Sequence, residues 1–426
     1  MPSAFGPLNG LKVLDLSIIV AGGTASSLMA DFGAEVVKVE RPGSGDPLRN
    51  WGPFKSPQPP FDKGGTGGIS LWWKVHSRNK KSITLDLASS QGQELLKRLA
   101  EKADLLIEGF RPGAMERWGL GPEDLHRVNA RLIMVRFSGF GQSGPYKDRP
   151  GFGTIAECMS GYVAMTGFPD SPPVLPPVPL ADEVAGVFGA MAGMMALYYR
   201  DGPRGDVPQP GQGSPDTSER GGQVIDVSLF EPLFRLCIPH VTMYDLLGIS
   251  RERVGNDFPD AAPRNLYRSG DGRWLGLSAT SQSTFETLAR AMGLAGLITD
   301  PRFKDNAARL ENREDLNQVL GGWLGQRSTE EAMDTLIPAG GVVGPVYDAA
   351  QIVDDPHYQA REDILNIDDP ELGPTRMVGI VPKFSGTPGA VEHAGPRLGE
   401  HNRQVYSEWL GLGEQQLKDM ASQGII

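Results

Sequence analysis

A pair of carboxylates directly before a long apolar segment contains the residue best suited to nucleophilic chemistry. Asp182 and Glu183 stand in the run LADEVAG, immediately before Val184–Tyr199. Aspartate is a preferred N-cap residue, so helix capping alone is the simpler interpretation of Asp182. The catalytic interpretation uses the same geometry, because the amide groups and dipole of a helix N-terminus keep a carboxylate ionised. An ionised carboxylate at the mouth of a pocket is what covalent acyl transfer requires, and Glu183 could take the same role.

Three groups of basic residues could bind an anionic ligand. Each group stands before or after a predicted strand of one sheet, although a solvated surface position is the default interpretation for any single member. Their shared location favours a polyanion site, and coenzyme A would fit because it carries several phosphates. The groups are Arg41; Arg78, Lys80 and Lys81 in HSRNKKS; and Arg111 and Arg117 in EGFRPGAMERWG.

Two glycine-rich segments partly match nucleotide-binding turns. Gly139–Gly144 reads GFGQSG after a predicted strand, but a dinucleotide site needs these glycines to open a helix. The next residues, PYKDRP, cannot open that helix, which disfavours a dehydrogenase and favours a tight loop over a ligand. Backbone amides of this loop are candidates to stabilise an oxyanion. Val20–Gly23 has the position of a nucleotide-binding turn without the full fingerprint, and Glu40 is either a ribose-binding acid or a surface charge.

Composition and charge exclude several classes of function. The formal net charge of −11 disfavours nucleic acid as a partner, because an acidic surface repels phosphate backbones. Cys158 and Cys237 form no CxxC pattern, which indicates a reducing cytoplasm, and the N-terminal residues show no signal peptide. The six histidines have no metal-ligand spacing, so we predict no metal site. The sequence has no GxSxG motif and no convincing Ser/His/Asp order.

Strand and helix patterns alternate over the first part of the chain. Leu11–Leu16 and Glu35–Val39 are β-rich runs on either side of a helical segment, and the alternation continues to Leu132–Phe137. This rhythm predicts an α/β fold with an open parallel sheet, whose ligands bind beyond the carboxyl ends of the strands.

The length of the chain, 426 residues, predicts two domains. We predict a large domain over 1–200 that is completed by 365–426, a linker at 201–222 and a smaller α+β domain over 223–364. The apolar segment Val184–Tyr199 is short for a bilayer span and rich in Gly and Ala, which predicts a buried, tightly packed helix.

Several motifs in order resemble those of the family III CoA-transferases, which include formyl-CoA transferase, the carnitine CoA-transferases and α-methylacyl-CoA racemase. The likeness covers most of residues 10–235, and RLGEHN at Arg397–Asn402 resembles a C-terminal motif of the family. The other motifs are ADFGAEVVKVERPGSGDPLR, SRNKKSITLDL, EGFRPGAMERWGLGPEDL, RLIMVRFSGFGQSGPY, TGFPDSPP and GGQVIDVSLFE.

The resemblance implies a Rossmann-like large domain, a small domain reached by long linkers, and an interlocked homodimer. It also implies that Asp182 attacks the thioester of an acyl-CoA to form a mixed anhydride, which CoA converts into an aspartyl-CoA thioester. The acceptor acid then attacks that thioester, and a second anhydride passes its acyl group to CoA. The coenzyme A contacts that the resemblance implies are Val20, Ala21, Arg41, Leu85, Asp86, Leu87, Ala88, Gly109, Phe110, Arg111, Ala114 and Arg117.

Departures from the family pattern bear on the substrate and on the alternative functions. Formyl-CoA transferase has a glutamine where this chain has Val20, and a tetraglycine flap that this sequence lacks, which disfavours formate or oxalate. The racemase has a His-Asp pair at positions matching Phe152 and Gly153, neither of which can move a proton. We therefore expect transfer of CoA from a thioester to a free carboxylic acid. Racemisation and non-catalytic binding of acyl-CoA are the alternatives.

Overall fold

Strands and helices alternate through the part of the chain that the computed structural model describes, residues 6–55, 68–202 and 220–426. The strands there are β1 (Lys12–Leu16), β2 (Glu35–Glu40), β3 (Phe54–Lys55), β4 (Ile69–Ser70), β5 (Lys80–Thr84), β6 (Leu105–Glu108), β7 (Ile133–Ser138), β8 (Val224–Ser228), β9 (Arg264–Arg268), β10 (Trp274–Ser278), β11 (Val343–Pro345), β12 (Ile364–Asp369) and β13 (Gly373–Val378). The predicted linker at 201–222 lies mostly outside the described residues.

The described residues contain eighteen α-helices. They are α1 (Ala21–Asp31), α2 (Leu71–His76), α3 (Ser90–Ala100), α4 (Ala114–Arg117), α5 (Pro122–Val128), α6 (Gly153–Met159), α7 (Tyr162–Met165), α8 (Leu180–Asp201), α9 (Phe230–Leu236), α10 (His240–Leu247), α11 (Gln282–Ala291), α12 (Asn306–Glu311), α13 (Arg313–Gly325), α14 (Thr329–Leu336), α15 (Ala349–Asp354), α16 (Pro356–Ala360), α17 (Asn402–Leu410) and α18 (Glu414–Ser422). Short 3₁₀ helices occupy Pro47–Asn50 and Ala295–Ile298.

The central sheet has six parallel strands in the order β5-β2-β1-β6-β7-β8. This confirms the predicted α/β class and its open parallel sheet. Counted along the chain, the order is third, second, first, fourth, fifth and sixth, which is the order of doubly wound sheets. The order reverses between β1 and β6, and the crevice beyond the carboxyl ends of these two strands is where such sheets bind ligands.

The core on one face of the central sheet forms because apolar residues recur at helical spacing in the helices that cover it. In α3, Leu95, Leu96 and Leu99 are buried against the sheet, and Val405 and Tyr406 of α17 join the same cluster. Helices from both ends of the chain therefore cover this face of the sheet, and the strand residues that contact them, such as Leu14 and Val37, are apolar.

Helix α8 packs closely because its inward face consists of small residues. A Cβ atom on Gly186 would lie 2.6 Å from the carbonyl oxygen of Ala21, and one on Gly189 would lie 2.2 Å from the ring of Phe137. The opposite face is exposed, so the prediction of a buried helix holds for one face only. Among the described residues, α8 is the one helix with the length and composition to cross a membrane, but its glycine face packs on α1 and the sheet.

Two compact units divide the chain. One comprises residues 1–161, 176–238 and 360–426, and the other comprises 162–175 and 239–359. The second unit contains the antiparallel sheet β11-β10-β9, with α11, α13 and α14 supplying its core. The predicted small domain starts at residue 223 and would include β8. In the structure β8 belongs to the first unit, whose boundary lies at residue 238. The reason is that β8 pairs along its whole length with β7 and so completes the central sheet.

Candidate active site

A cleft lies at the carboxyl ends of the parallel strands, where the strand order reverses. The β1–α1 turn, the loop after β2, the loop after β5 and the loop after β6 form its walls. Apolar side chains form most of the lining, and the rings of Phe110 and Trp118 meet edge to face at 5.1 Å. The lining residues are Leu16, Ser17, Ile18, Val39, Glu40, Arg41, Gly45, Asp46, Leu85, Asp86, Leu87, Ala88, Phe110 and Trp118.

The structure brings half of the predicted coenzyme A contacts into this one cleft. These are Arg41, Leu85, Asp86, Leu87, Ala88 and Phe110. Gly109 lies beside it, since a Cβ there would be 3.7 Å from the Ile18 amide nitrogen. The others do not line it: Val20, Ala21 and Ala114 are buried, while Arg111 and Arg117 are exposed in and near α4.

The predicted anion-binding role of the HSRNKKS cluster is wrong. Arg78 is buried and pairs with Asp31 at 2.6 Å, and Lys80 is buried and lies 3.3 Å from Asp15. Lys81 pairs with Glu35 at 2.6 Å. These cations stand where β5 enters the sheet, and internal carboxylates neutralise them, so of the three predicted groups only Arg41, Arg111 and Arg117 are exposed cations.

Glu40 is also a structural residue, neither a surface charge nor a free ribose ligand. Only 3% of it is exposed, and its two carboxylate oxygens accept hydrogen bonds from the Arg49 guanidinium at 2.7 and 2.8 Å. Ser82 donates a further hydrogen bond to it at 2.6 Å. The carboxylate therefore fixes the loop after β2, which forms one wall of the cleft.

Helix α1 connects the cleft to Asp182. It begins at Ala21, three residues after the cleft residue Ile18, and the carbonyl of Ala21 lies against Gly186 of α8. Gly186 follows Asp182 by one helical turn. Asp182 and the cleft therefore lie at the same end of α1.

Asp182 is in the first turn of α8 but is not its N-cap, so the predicted capping position is wrong. The helix begins at Leu180, and Pro179 occupies the cap position. The Glu183 amide donates to the Pro179 carbonyl at 3.0 Å and closes the first turn, so the N-cap lies three residues before Asp182. A proline favours this because its fixed φ is compatible with a helix start.

Two residues of α6 contact the start of α8. A Cβ atom on Gly153 would lie 1.9 Å from Oδ2 of Asp182, so the carboxylate occupies the space that a side chain at 153 would fill. Glu157 is one turn further along the same face of α6; it is 3% exposed and its Oε1 accepts a hydrogen bond from the Ala181 amide at 3.3 Å. Glu157 was not among the predicted site residues; its one signal in the sequence is a lone acid in the run TIAECM.

A chain of hydrogen bonds holds Glu183 away from the contact between Asp182 and Gly153. The Thr24 hydroxyl donates to Glu183 at 2.8 Å, and His76 Nε2 lies 2.9 Å from the same hydroxyl. Burial, followed by the charge of Lys80, lowers the pKa of His76 to about 3, so the ring is neutral. Since Thr24 gives its proton to Glu183, Nε2 donates to Thr24. Glu183 thus joins α8 to α1 and α2, which leaves Asp182 as the candidate nucleophile.

The electrostatic surroundings of Asp182 differ from those expected for an N-cap. Burial, and after it the charges of Glu157 and Glu183, raise the pKa of Asp182 to about 7. The sequence predicted that the helix N-terminus would keep this group ionised, whereas a pKa of about 7 leaves about half of it protonated at neutral pH. Loss of solvation and two nearby acids outweigh the helix dipole.

The glycine loop after β7 positions α6 and opens no helix, as its following residues predicted. Gly139 packs against Gly151, with a hypothetical Cβ 2.8 Å from the Gly151 Cα, two residues before Gly153. The Gln142 amide donates to Asp226 at 2.8 Å, so this amide is committed to the protein. The loop therefore supports the turn that carries Gly153 to Asp182.

Comparison with protein families settles the relationship suggested by the motifs. Residues 8–402 match the family described as CoA-transferase family III. The chain belongs to this family. The family predicted from the motifs is thereby confirmed, and the chain is an enzyme that transfers CoA between an acyl-CoA thioester and a free carboxylic acid.

Relatives of this family III CoA-transferase match it over nearly its whole length. The succinyl-CoA–D-citramalate CoA-transferase of Chloroflexus aurantiacus is 42% identical over 420 residues, covering 99% of this chain and 98% of the relative. The beta subunit of succinyl-CoA–L-malate CoA-transferase from the same organism is 36% identical over 423 residues, with coverages of 99% and 98%. A solved CAIB/BAIF family protein from Brucella suis aligns with a TM-score of 0.78 at 30% identity, covering 95% of this chain and 100% of that one.

The raised pKa of Asp182 predicts an acid limb in the activity of this CoA-transferase. We expect kcat/KM for the acyl-CoA donor to fall as the pH drops below about 7, because the attack for which Asp182 is the candidate needs the ionised carboxylate. Glu157→Gln removes a neighbouring negative charge but keeps an oxygen for the Ala181 amide, so the limb should move to lower pH. Glu123→Gln, on the exposed side of α5, is the control and should leave the limb in place. If pH–rate profiles show the same acid limb in Glu157→Gln as in wild type, the charge of Glu157 does not raise the pKa of Asp182.

Proposed function

We propose that Asp182 is the covalent nucleophile of this CoA-transferase. The observation that carries the proposal is the position of the Asp182 carboxylate. It lies against Gly153 of α6, which has no side chain, and near the end of α1 that borders the cleft. Glu183 is fixed by Thr24, so the two acids have separate roles. A partly desolvated carboxylate with a pKa near 7 is a stronger base and nucleophile than a solvated one, and it is still substantially ionised at neutral pH.

The proposed reaction moves CoA in two symmetrical halves. Asp182 attacks the thioester carbonyl, the C–S bond breaks, and CoA leaves as a thiolate while an acyl-aspartyl anhydride forms. The thiolate then attacks the aspartyl carbonyl, which releases the donor acid and leaves an aspartyl-CoA thioester. The acceptor carboxylate reverses these steps and departs as the new thioester. The bonds broken and formed are of the same kinds, so the exchange needs no external energy source.

We further propose that succinyl-CoA is a donor and that a small dicarboxylic acid is the acceptor. Support comes from the two Chloroflexus relatives, whose names specify succinyl-CoA with citramalate or malate. The cleft is proposed to hold the CoA moiety, with its apolar lining against the adenine and pantetheine parts. Arg41 is proposed to lie near the phosphates, because it is an exposed guanidinium at the cleft wall.

The experiment that tests this function follows thioester exchange directly. Purified protein is incubated with succinyl-CoA and, in turn, D-citramalate, L-malate, glutarate or formate, and the CoA species are resolved by chromatography and mass spectrometry. We expect a new thioester with at least one dicarboxylate and none with formate. Absence of exchange with every acid, or deuterium uptake at the α-carbon of a methyl-branched acyl-CoA, would contradict the proposal.

We also propose that the enzyme is an interlocked homodimer. The outer face of α8 supports this, because apolar side chains recur there at helical spacing and are exposed: Val187 by 51%, Met191 by 43%, Met195 by 61% and Tyr198 by 68%. A continuous apolar stripe of this kind marks an interface, and the proposed partner is a second copy of the chain.

The mass of the enzyme in solution tests the dimer. We expect light scattering to give twice the chain mass of 45.9 kDa, and we expect Met195→Asp to shift the population towards the monomer by placing a charge in an apolar contact. Lys102→Asp, in the exposed turn that follows α3, should stay dimeric. A wild-type chain that elutes as a monomer at micromolar concentration would refute the dimer.

A further inference from the structure

The turn between β1 and α1 contains a backbone conformation that isoleucine disfavours. Ile19 has a φ of 63°, in the left-handed region where a β-branched side chain crowds its own backbone. Ile18, the residue before it, is 41% exposed and lines the cleft. A strained residue of this kind persists only where surrounding contacts hold it, so the turn needs an external restraint.

Asp46, in the loop after β2, supplies that restraint. Its Oδ1 accepts hydrogen bonds from the amides of Ile19 at 3.1 Å and Leu48 at 2.8 Å, and its Oδ2 lies 3.0 Å from Lys38 Nζ. Lys38 Nζ in turn donates to the carbonyl of Ser17. The Asp46 carboxylate and the Lys38 ammonium group therefore fix the backbone of the turn on both sides of the exposed residue Ile18.

The carboxylate of Asp46 is committed to the protein and is not available as a ligand group. Asp46 is 3% exposed and Lys38 is 2% exposed, so the pair lies inside the wall of the cleft. The backbone amide of Asp46 is itself fixed by Glu40 Oε2 at 2.9 Å. A carboxylate would repel the phosphates of CoA, so any effect of Asp46 on acyl-CoA must pass through the shape of the turn.

We propose that Asp46 is a positioning residue that holds the turn Ser17–Val20 in its strained conformation and thereby forms the wall that receives the acyl-CoA. This inference rests on the proposed function, because it assigns the acyl-CoA to this cleft. The two aspartates then have different roles: Asp46 determines affinity for the CoA thioester, whereas Asp182 carries out the covalent step.

Two substitutions at Asp46 separate the hydrogen bond from the charge. Asp46→Ala should raise KM for succinyl-CoA and Kd for CoA by about tenfold or more, with kcat within about twofold of wild type. Asp46→Asn keeps an oxygen for the Ile19 amide, so its constants should stay within about threefold. Lys38 retains Asp15 as a partner at 3.3 Å, so both variants are expected to fold, which thermal melts would check.

A change at residue 19 provides the readout that a merely structural role would not give. Glycine adopts a φ of 63° without strain, so Ile19→Gly should recover most of the CoA affinity lost in Asp46→Ala. The inference is overturned if Asp46→Ala binds CoA as wild type does, if Asp46→Asn loses as much affinity as Asp46→Ala, or if Ile19→Gly brings no recovery. Wild-type protein that binds no CoA would instead refute the proposed function, so the two failures are distinguishable by titration calorimetry.

Discussion

Asp182→Asn should reduce kcat for CoA transfer by about 10⁴-fold or more while Kd for CoA stays within about twofold. The amide has the shape of the carboxylate but cannot form the anhydride, so the covalent route is closed. The substitution leaves the lining of the cleft intact, because Asp182 is not one of the lining residues and is connected to the cleft through α8 and α1. Thioester exchange and titration calorimetry on the same preparation measure both quantities. Near-normal kcat would remove Asp182 from the mechanism.

The stability of the same variant provides its control for correct folding. The folded protein raises the pKa of Asp182 from 3.8 to about 7, so ionisation of this group costs stability as the pH rises between those values. Asparagine carries no such cost. We expect thermal melts to show Asp182→Asn equal to wild type at pH 4 and more stable at pH 8, by about 1 kcal/mol after allowing for partial solvent exposure. A variant less stable than wild type at pH 8 would contradict the buried-acid description.

Gly153→Ala should lower kcat by about 100-fold, because a displacement of about 1 Å in a reacting group has an effect of that size. The added Cβ would lie 1.9 Å from Oδ2 of Asp182, so the carboxylate must move. Affinity for CoA should be unchanged. Steady-state kinetics with saturating succinyl-CoA measure the effect.

A second glycine gives the matched control for this substitution. Gly322 is inside α13, and no heavy atom would lie within 4 Å of its added Cβ. Gly322→Ala should therefore leave kcat unchanged and stabilise the helix by about 0.5–1 kcal/mol. Wild-type kcat in Gly153→Ala would show that Asp182 does not react from the position seen here.

The sheet could be predicted because its signals are local. Runs such as Leu11–Leu16 and Glu35–Val39 predicted β1 and β2 to within one residue, and alternation with helical segments predicted parallel pairing. The family motifs singled out Asp182, and half of the coenzyme A contacts that they implied line the cleft. The predicted start of the small domain at residue 223 placed β8 outside the large domain, because the pairing of β8 with β7 joins residues far apart in sequence across the predicted linker.

The electrostatics of the site could not be predicted, because they depend on partners distant in sequence. Arg78 and Lys80 read as exposed cations, yet their partners Asp31 and Asp15 stand 47 and 65 positions away. Glu157 reaches the start of α8 across 24 positions, and its charge, after burial, helps to raise the pKa of Asp182. A single sequence shows the residue types but not which charges meet in the core.

Transfer of oxygen from the acceptor acid into the enzyme tests the central claim most directly. In the proposed reaction the acceptor carboxylate forms an anhydride with Asp182, and CoA then attacks the acceptor carbonyl, so one acceptor oxygen stays on Asp182. After turnover with ¹⁸O-labelled acceptor and succinyl-CoA, peptide mass spectrometry should find heavy oxygen in the Asp182 carboxylate. Omission of succinyl-CoA should leave the peptide unlabelled. Normal thioester exchange with no label at Asp182 would contradict the account.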